Sequence, residues 1–298
     1  MKVKGKGNGT RLTPRIYSDT RATSAFAPEK PSTLRQALTI GFSPCPNDTF
    51  IFYDLLHAPS EIEFYPVTED VEALNRRALA HDLDITKVSI AVYPLIKDNY
   101  VLLDSGAALG YNCGPILITK PGNDVSEIGK CLIAIPGEHT TANLLLTKAF
   151  PNATNKKEML FSEIEDALLG GKVEAGVIIH ESRFTYEAQG LTKVVDLGEW
   201  WHEKTQMPIP LGGIVAKRSL GQKLISRINS LIRNSVQFAL DNPEEPMPYV
   251  QQHAQEMDEE VMRQHIALYV NTYSVSMGEQ GLHAVNQILT EAPVSANL

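Results

Sequence analysis

The sequence predicts an α/β protein made of two strand-and-helix units, with polar loops of both units facing one cleft. Short apolar runs rich in β-branched residues alternate with helical periodicities, which is the pattern of a largely parallel sheet covered by helices. A second unit of this kind starts after Pro121 and Gly122. Residues 208–216 contain two prolines and two glycines and are expected to be the return crossing to the first unit. A chain of 298 residues is long enough for two such units.

The charge distribution argues against a nucleic-acid partner. The whole chain has a net charge of −8. Residues 1–35 hold eight basic residues against two acidic ones, a net charge of +6, which leaves −14 for the rest. A body this acidic repels a phosphate backbone. The basic leader, residues 1–35, contains no core-forming pattern and is expected to be disordered.

The cysteine pattern and the absence of several known motifs exclude some classes of protein and of functional site. Cys45, Cys113 and Cys131 form no closely spaced pair and leave an odd count, which favours a reducing cytoplasm over a disulfide framework. No apolar run reaches the length of a membrane span, and the leader lacks the apolar core of a secretory signal. No HExxH or CxxC motif occurs, so we expect no metal, and the P-loop and GxSxG motifs do not occur either.

The first unit opens with a binding loop. Residues 37–42 are predicted to form a strand, and two prolines stiffen the polar loop that follows it. A helix is expected from Thr49 to Leu56 with Asn47 or Asp48 as its cap. Free N–H groups at such a helix start are good anion ligands.

Lys87 is the unusual residue of the first unit. A strand is predicted at 62–67, an amphipathic helix at 70–81 and a third strand at 84–92, with Lys87 inside the third strand. A buried lysine is costly, so Lys87 either extends to solvent or meets an anion in the cleft. Ser105 begins a loop of small residues that permits close approach of a ligand to the backbone.

In the second unit, Thr140 and Thr141 begin a predicted helix after a strand at 131–135. Their hydroxyls and the amides of the helix start could hold one carboxylate or phosphate. The alternative is that a threonine only caps the helix. Trp200 and Trp201 are expected in a loop, either as an aromatic wall for a flat ligand or packed across the seam between the units.

His180 stands where a predicted buried parallel strand, residues 177–179, ends. Ligands of open α/β sheets bind at the carboxyl ends of the strands, so this imidazole is placed to face the cleft as a general base. The alternative is a histidine that terminates the strand and bonds a loop carbonyl. From residue 220 onward the chain is predicted to be helical, including 259–269 and 278–290.

Five blocks of sequence resemble the 1,4-dihydroxy-6-naphthoate synthase family, in matching order from about residue 38 to the C-terminus. The blocks are residues 43–50 (SPCPNDTF), 86–89 (TKVS), 105–110 (SGAALG), 140–142 (TTA) and 176–186 (GVIIHESRFTY). The first and last blocks are specific, whereas the fourth alone would be weak evidence. The leader lies outside the resemblance.

The resemblance implies a fold like the type II periplasmic binding proteins, with a ligand cleft between two lobes. Lobe I then comprises residues 36–119 and 212–298, and lobe II residues 120–211. It also implies a lyase of the futalosine route to menaquinone, which splits cyclic dehypoxanthinyl futalosine, a carboxylate, without metal or redox cofactor. His180 falls where that family has its proton acceptor. The expected substrate-binding residues are Asn47, Asp48, Lys87, Val88, Ser89, Ser105, Thr140, Thr141 and Ala142.

Two other functions are compatible with this architecture. One is a solute-binding protein for small anions, which would require export. The other is a chorismate dehydratase-like enzyme of the same pathway, which handles a different carboxylate. The block at residues 43–50 favours the synthase. The sequence does not indicate an oligomeric state.

Overall fold

The computed structural model describes residues 36–254 and 258–290, so the prediction for residues 1–35 lies outside the described chain. The strands are β1 Gln36–Phe42, β2 Ile62–Thr68, β3 Ile85–Ser89, β4 Tyr100–Leu102, β5 Ala108–Gly110, β6 Ile116–Thr119, β7 Ile133–Ile135, β8 Lys156–Glu158, β9 Ala175–Ile178, β10 Thr192–Asp196 and β11 Ile209–Lys217. The α-helices are α1 Pro46–His57, α2 Val71–Leu79, α3 Tyr93–Ile96, α4 Thr141–Ala149, α5 Ile164–Leu169, α6 Ser182–Thr185, α7 Leu197–Thr205, α8 Gln222–Asp241, α9 Met247–His253, α10 Glu259–Tyr269, α11 Thr272–Val275 and α12 Gly278–Thr290.

The strands form two sheets, one in each lobe. The first has the order β2-β1-β3-β11-β4, with β5 also paired to β11, and the second has the order β10-β6-β9-β7-β8. In the first sheet β1 runs parallel to β2 and β3, while β11 returns antiparallel between β3 and β4. In the second sheet β9 is parallel to β7 and antiparallel to β6, so its predicted parallel pairing holds on one side. The predicted two-lobed α/β class is confirmed.

Sheet membership bears on where the lobes divide. β6 pairs with β9 and β10, so it belongs to the second sheet, and β11 starts within the first sheet at Ile209. The expected divisions at residues 119/120 and 211/212 remain a prediction. Strand pairing favours boundaries a few residues earlier at both crossings.

Helix α1 starts three residues before the predicted position. Cys45 is its N-cap in an extended conformation, and its carbonyl accepts hydrogen bonds from the amides of Asp48 and Thr49. Pro46 occupies the first helical position, where no amide hydrogen is needed and the ring already sets φ. The expectation that both prolines lie in the loop was therefore wrong for Pro46, and so was the assignment of Asn47 or Asp48 as the cap.

The tryptophan pair lies in a helix and not in a loop. Asp196 caps α7 by accepting hydrogen bonds from the amides of Gly198 and Glu199. Trp200 and Trp201 are 7% and 1% exposed and belong to a hydrophobic cluster with contributions from both sheets. The packing alternative is confirmed, and the aromatic wall is not formed.

The third strand is shorter than predicted, because residues 90–92 form a 3-10 helix after β3 ends at Ser89. Ser89, the last residue of β3, and His180 of the other lobe line the same cleft. Among the described helices, none combines the length and the apolar character needed to cross a membrane.

Helix α8 closes one face of the first sheet with an amphipathic stripe. Ile225, Ile228, Ile232 and Val236 recur at three- and four-residue spacing and are buried in the core cluster that also contains α1, α9 and α10 residues. The stripe therefore stabilises the lobe that carries the binding loop.

We expect Ile228→Ala to lower the free energy of unfolding by about 2–5 kcal/mol, because it leaves a cavity in a fully buried position. Leu240→Ala on the same helix, at a position 37% exposed, should cost less than about 1 kcal/mol. Urea unfolding followed by circular dichroism measures both. Equal losses in the two variants would show that α8 does not pack as described.

Candidate active site

A cleft of about 720 Å³, measured out to its mouth, lies between the sheets. It is lined by residues of β3 and α1 on one side and by the start of α4 and the end of β9 on the other. The predicted site residues that line it are Asn47, Asp48, Lys87, Val88, Ser89, Thr140, Thr141, Ala142 and His180. The structure therefore brings together residues that are far apart in the sequence.

Ser105 is the predicted site residue that is not among those lining the cleft. It is fully buried, and its amide donates a hydrogen bond to Asn229 Oδ1 at 3.1 Å. Its hydroxyl accepts one from Arg233 Nε at 3.3 Å. Both partners belong to α8, so Ser105 attaches its loop to that helix.

Lys87 meets an anion that the protein itself supplies. Its Nζ donates to Asp48 Oδ1 at 2.7 Å, and the two side chains are 8% and 4% exposed. Asn47 Nδ2 donates to the same oxygen at 2.9 Å. The second oxygen, Oδ2, accepts from Ser43 Oγ at 2.8 Å and from the Ser43 amide at 3.2 Å. Removing the two charges from water costs free energy that their mutual attraction alone would offset poorly. The additional hydrogen bonds to Asp48 compensate for this cost.

The threonines at the start of α4 both have protein partners. Thr140 Oγ1 accepts from the Asn143 amide and donates to Gly137 O at 2.8 Å, so Thr140 caps α4, and its expected contact with substrate stays a prediction. Thr141 Oγ1 donates to Leu211 O at 2.7 Å and accepts from the Ala91 amide, so it ties α4 to the opposite lobe. The backbone amides at the first two positions of α4 have no intrahelical acceptor and lie at the cleft.

His180 presents one ring nitrogen that has no partner. Its backbone has a φ of +58°, in the left-handed region, which turns the side chain away from the strand direction. Nδ1 lies 3.3 Å from Cys45 Sγ, whereas Nε2 is buried without a hydrogen-bond partner among the described residues. The ring of Phe161 contacts the imidazole edge-on, with 4.7 Å between ring centroids.

Burial has the largest effect on the pKa of His180. It lowers the pKa of the imidazole to about 4, with the nearby Lys87 charge acting in the same direction. The carboxylates of Asp48 and Asp70 partly oppose this by raising the pKa. His180 is therefore neutral at pH 7 and able to accept a proton.

His265 was not predicted from the sequence. It is fully buried on α10, and its ring is stacked 6.1 Å from that of His180 with 9° between the planes. Its Nε2 lies 2.9 Å from Asn47 Oδ1, a pairing 218 residues apart in sequence. Burial, then the neighbouring His180 and Lys87, lower the pKa of His265 well below its usual value. The sequence offered one indication of His265, because the residue lies on the apolar face of the helix predicted at 259–269. An ordinary core histidine would show the same pattern.

One cluster in the described part of the chain has donors suited to a metal ion. Cys45 Sγ, a ring nitrogen of His180 and a Glu181 carboxylate oxygen lie within 4.8 Å of one another. A soft divalent ion there would require the thiolate, whereas burial raises the pKa of the Cys45 thiol well above its usual value. The three side chains are thus of the kinds that bind metals, but the raised thiol pKa favours the neutral thiol over the thiolate that a metal would need.

The sequence profile of the menaquinone biosynthesis family matches residues 38–293. The chain belongs to this family. It is 46% identical over 259 residues to a 1,4-dihydroxy-6-naphthoate synthase from Thermus thermophilus, which covers 86% of this chain and 94% of that protein. It is 42% identical over 262 residues to the synthase of the same name from Streptomyces coelicolor, which covers 86% and 92%. The resemblance seen in the sequence blocks is confirmed.

Solved structures agree on the fold. A protein from Archaeoglobus fulgidus superimposes with a TM-score of 0.77 at 32% identity, covering 85% of this chain and 95% of that one. The aliphatic sulphonate-binding protein of Escherichia coli superimposes with a TM-score of 0.58 at 12% identity, covering 88% and 90%. The second similarity shows the fold alone, and it confirms the periplasmic-binding-protein-like class.

The buried pair of Lys87 and Asp48 gives a stability prediction. We expect Asp48→Asn to lower the free energy of unfolding by about 3–5 kcal/mol, because it leaves the Lys87 ammonium buried without a counter-charge. The double variant Asp48→Asn with Lys87→Met should recover part of this loss, since it removes both charges. Chemical denaturation of the two proteins tests this, and a double variant no more stable than the single one would contradict it.

Proposed function

We propose that this chain is a 1,4-dihydroxy-6-naphthoate synthase, a carbon–carbon lyase that splits cyclic dehypoxanthinyl futalosine, with His180 as the general base. The observation that carries the proposal is the neutral imidazole with a bare Nε2 in an interlobe cleft, in a chain related over most of its length to two proteins of that name. The names of the two relatives state neither the reaction class nor the catalytic base. The lyase class and the role of His180 are therefore part of the proposal.

The proposed reaction requires only a few catalytic functions of the protein. Cleavage of the cyclic substrate creates an aromatic naphthoate ring, and this supplies much of the driving force. The protein must then hold the substrate and take up one proton at His180 Nε2. The imidazolium formed in this step is favoured by the negative charges of Asp48 and Asp70, which face the ring.

The cleft offers separate regions for the ring and the carboxylate of such a substrate. Apolar side chains, among them Val71, Leu74 and Ile179, provide the surface for a planar ring. Lys87 is already paired with Asp48, so it is a weak candidate for a direct carboxylate contact. The amides of Thr141 and Ala142 at the start of α4 are better placed, because they are free donors at the positive end of a helix.

A direct test can distinguish the proposed synthase from two other functions, a solute-binding protein and a chorismate dehydratase. A binding protein of this fold would retain a carboxylate without turnover, and a dehydratase would consume chorismate. The three cysteines, all free in the described residues, favour a reducing, cytoplasmic setting over an exported binding protein. Purified protein incubated separately with cyclic dehypoxanthinyl futalosine and with chorismate, and assayed for naphthoate absorbance and product mass, distinguishes the three.

We expect His180→Ala to lower kcat by about a hundredfold or more while the protein stays folded, because a general base is lost. His283→Ala, which removes an exposed histidine on α12, is the matched control and should retain full activity. Steady-state kinetics with the futalosine substrate measure the effect. A His180→Ala enzyme with near-normal turnover would refute the assignment of the base.

The pH dependence follows from the lowered pKa of His180. A base with a pKa of about 4 in the free protein is deprotonated throughout the range from pH 5 to pH 8. We therefore expect kcat/KM to stay level as the pH falls from 7 to 5 and to decline only as it approaches 4. An acid limb near the ordinary histidine value of about 6.5 would mean that the base is solvated. Circular dichroism at each pH separates this effect from acid unfolding.

A further inference from the structure

We propose that His265 is a substrate-binding residue, whose bare Nδ1 accepts a hydrogen bond from a hydroxyl group of the ligand in the cleft. His265 then selects for a ligand that carries a hydroxyl group at this point, while His180 remains the base. The inference rests on the proposed function, because 1,4-dihydroxy-6-naphthoate carries two hydroxyl groups on one ring and a carboxylate on the other.

His265 is a buried polar residue on the inner face of α10. The other buried side chains of this helix are Met262, Ile266 and Tyr269, and the Tyr269 ring lies 4.7 Å from the imidazole, centroid to centroid. His265 is 0% exposed and yet lines the cleft. An imidazole in such a place needs a partner at both nitrogens, because an unpaired polar atom shielded from water costs free energy. The described residues supply a partner for Nε2 and none for Nδ1.

Asn47 decides which nitrogen of His265 carries the proton. Its Nδ2 donates to Asp48 Oδ1 at 2.9 Å, and the same oxygen accepts from the Lys87 ammonium. A carboxylate can only accept, so the side-chain amide of Asn47 must present its nitrogen to Asp48 and its oxygen to the other side. This oxygen lies 2.9 Å from His265 Nε2, which therefore donates to it.

A neutral imidazole carries one ring proton, so Nδ1 of His265 is left as an acceptor. Burial favours the neutral ring, because it lowers the pKa of His265 well below its usual value, and the neighbouring His180 and Lys87 act in the same direction. The Glu181 carboxylate faces this nitrogen, but its Oε1 is 4.0 Å away, beyond hydrogen-bond distance. Nδ1 and the carboxylate are both acceptors, so the nitrogen stays available to a ligand that brings a donor.

The two imidazoles of the cleft offer acceptors side by side. The rings of His180 and His265 are nearly parallel, with 6.1 Å between their centroids. A flat ligand ring between them would require about 7 Å, twice the ordinary contact distance between carbons, so the ligand meets both imidazoles at their edges. Each ring presents there one buried nitrogen without a partner among the described residues, Nε2 of His180 and Nδ1 of His265. A ligand with two hydroxyl groups supplies two donors for these two acceptors.

Two substitutions separate the roles of the two ring nitrogens. In His265→Gln the amide nitrogen takes the place of Nε2, so this variant keeps the bond to Asn47 and loses the acceptor at Nδ1. In His265→Asn the shorter side chain puts its amide group at the place of Nδ1, so this variant keeps an acceptor there and loses the bond to Asn47. A merely structural role of His265 would therefore make His265→Asn the more defective variant.

Calorimetric titration compares 1,4-dihydroxy-6-naphthoate, kept under anaerobic conditions, with 2-naphthoate, which has the same rings and carboxylate but no hydroxyl groups. We expect wild type to prefer the dihydroxy ligand. His265→Gln should bind that ligand about threefold to tenfold more weakly, as expected for the loss of one hydrogen bond between uncharged groups. Its affinity for 2-naphthoate should be unchanged. His265→Asn should retain the preference, and so should His283→Ala, the control at an exposed position on α12.

Histidine ¹⁵N chemical shifts give a readout that needs no turnover. The His265 signals are assigned by their loss in His265→Gln. In free wild type we expect a protonated Nε2 and a bare Nδ1. The dihydroxy ligand should move the Nδ1 signal upfield, as for a nitrogen that begins to accept a hydrogen bond, whereas 2-naphthoate should not. The signals of the exposed His283 should stay in place with both ligands.

A free His265 with its proton on Nδ1 would overturn the proposal, and so would a His265→Gln variant that keeps the full preference for the dihydroxy ligand. If His265→Gln does not fold, His265→Asn assigns the signals and the wild-type shifts decide. A hydroxyl-dependent shift in a protein without synthase activity would refute the proposed function and leave the contact standing. An active synthase whose Nδ1 signal does not respond to the dihydroxy ligand would refute the contact alone. A protein that neither turns over substrate nor binds either naphthoate would overturn both.

Discussion

The carboxylate of Asp48 is the group on which the arrangement of the cleft depends. It lies in the first turn of α1, and its two oxygens receive the ammonium of Lys87 on β3 and donors from Ser43 and Asn47. The loop between β1 and α1 is thereby tied to the neighbouring strand by bonds that are all shielded from water. Without this carboxylate, Lys87 would be an isolated charge in the core, and the Ser43 hydroxyl would lose its acceptor.

The same pairing shapes the electrostatics of the site. Because Lys87 and Asp48 offset each other, the cleft is close to neutral and mostly apolar, and burial decides the protonation of the nearby histidines. A histidine with a lowered pKa is a weaker base, but it is fully deprotonated at pH 7. These properties fit the proposed reaction, in which aromatisation supplies the driving force and His180 removes one proton.

The architecture is shared with proteins that only bind small solutes, so the chemistry resides in the loops that the two lobes bring together. The lobes are joined by specific polar contacts as well as by the chain crossings. Thr141 at the start of α4 bonds to Leu211 and Ala91, and Glu72 on α2 accepts from the backbone and ring of His139 at 3.1 Å and 2.7 Å. These contacts hold the helix start of one lobe against residues of the other.

The sequence by itself determined the α/β class, the strand that precedes His180 and the helix that Thr140 caps, because hydrophobic periodicity and capping residues are local signals. It did not reveal the partner of Lys87, the role of His265, the position of Ser105 outside the cleft or the burial of the tryptophans. Cys45 and His180 are 135 residues apart, and Asn47 and His265 are 218 apart. Contacts between such distant residues arise only when the two sheets assemble, so no local pattern encodes them. The tertiary structure alone decided that His180 Nδ1 lies against Cys45, while Nε2 has no hydrogen-bond partner among the described residues.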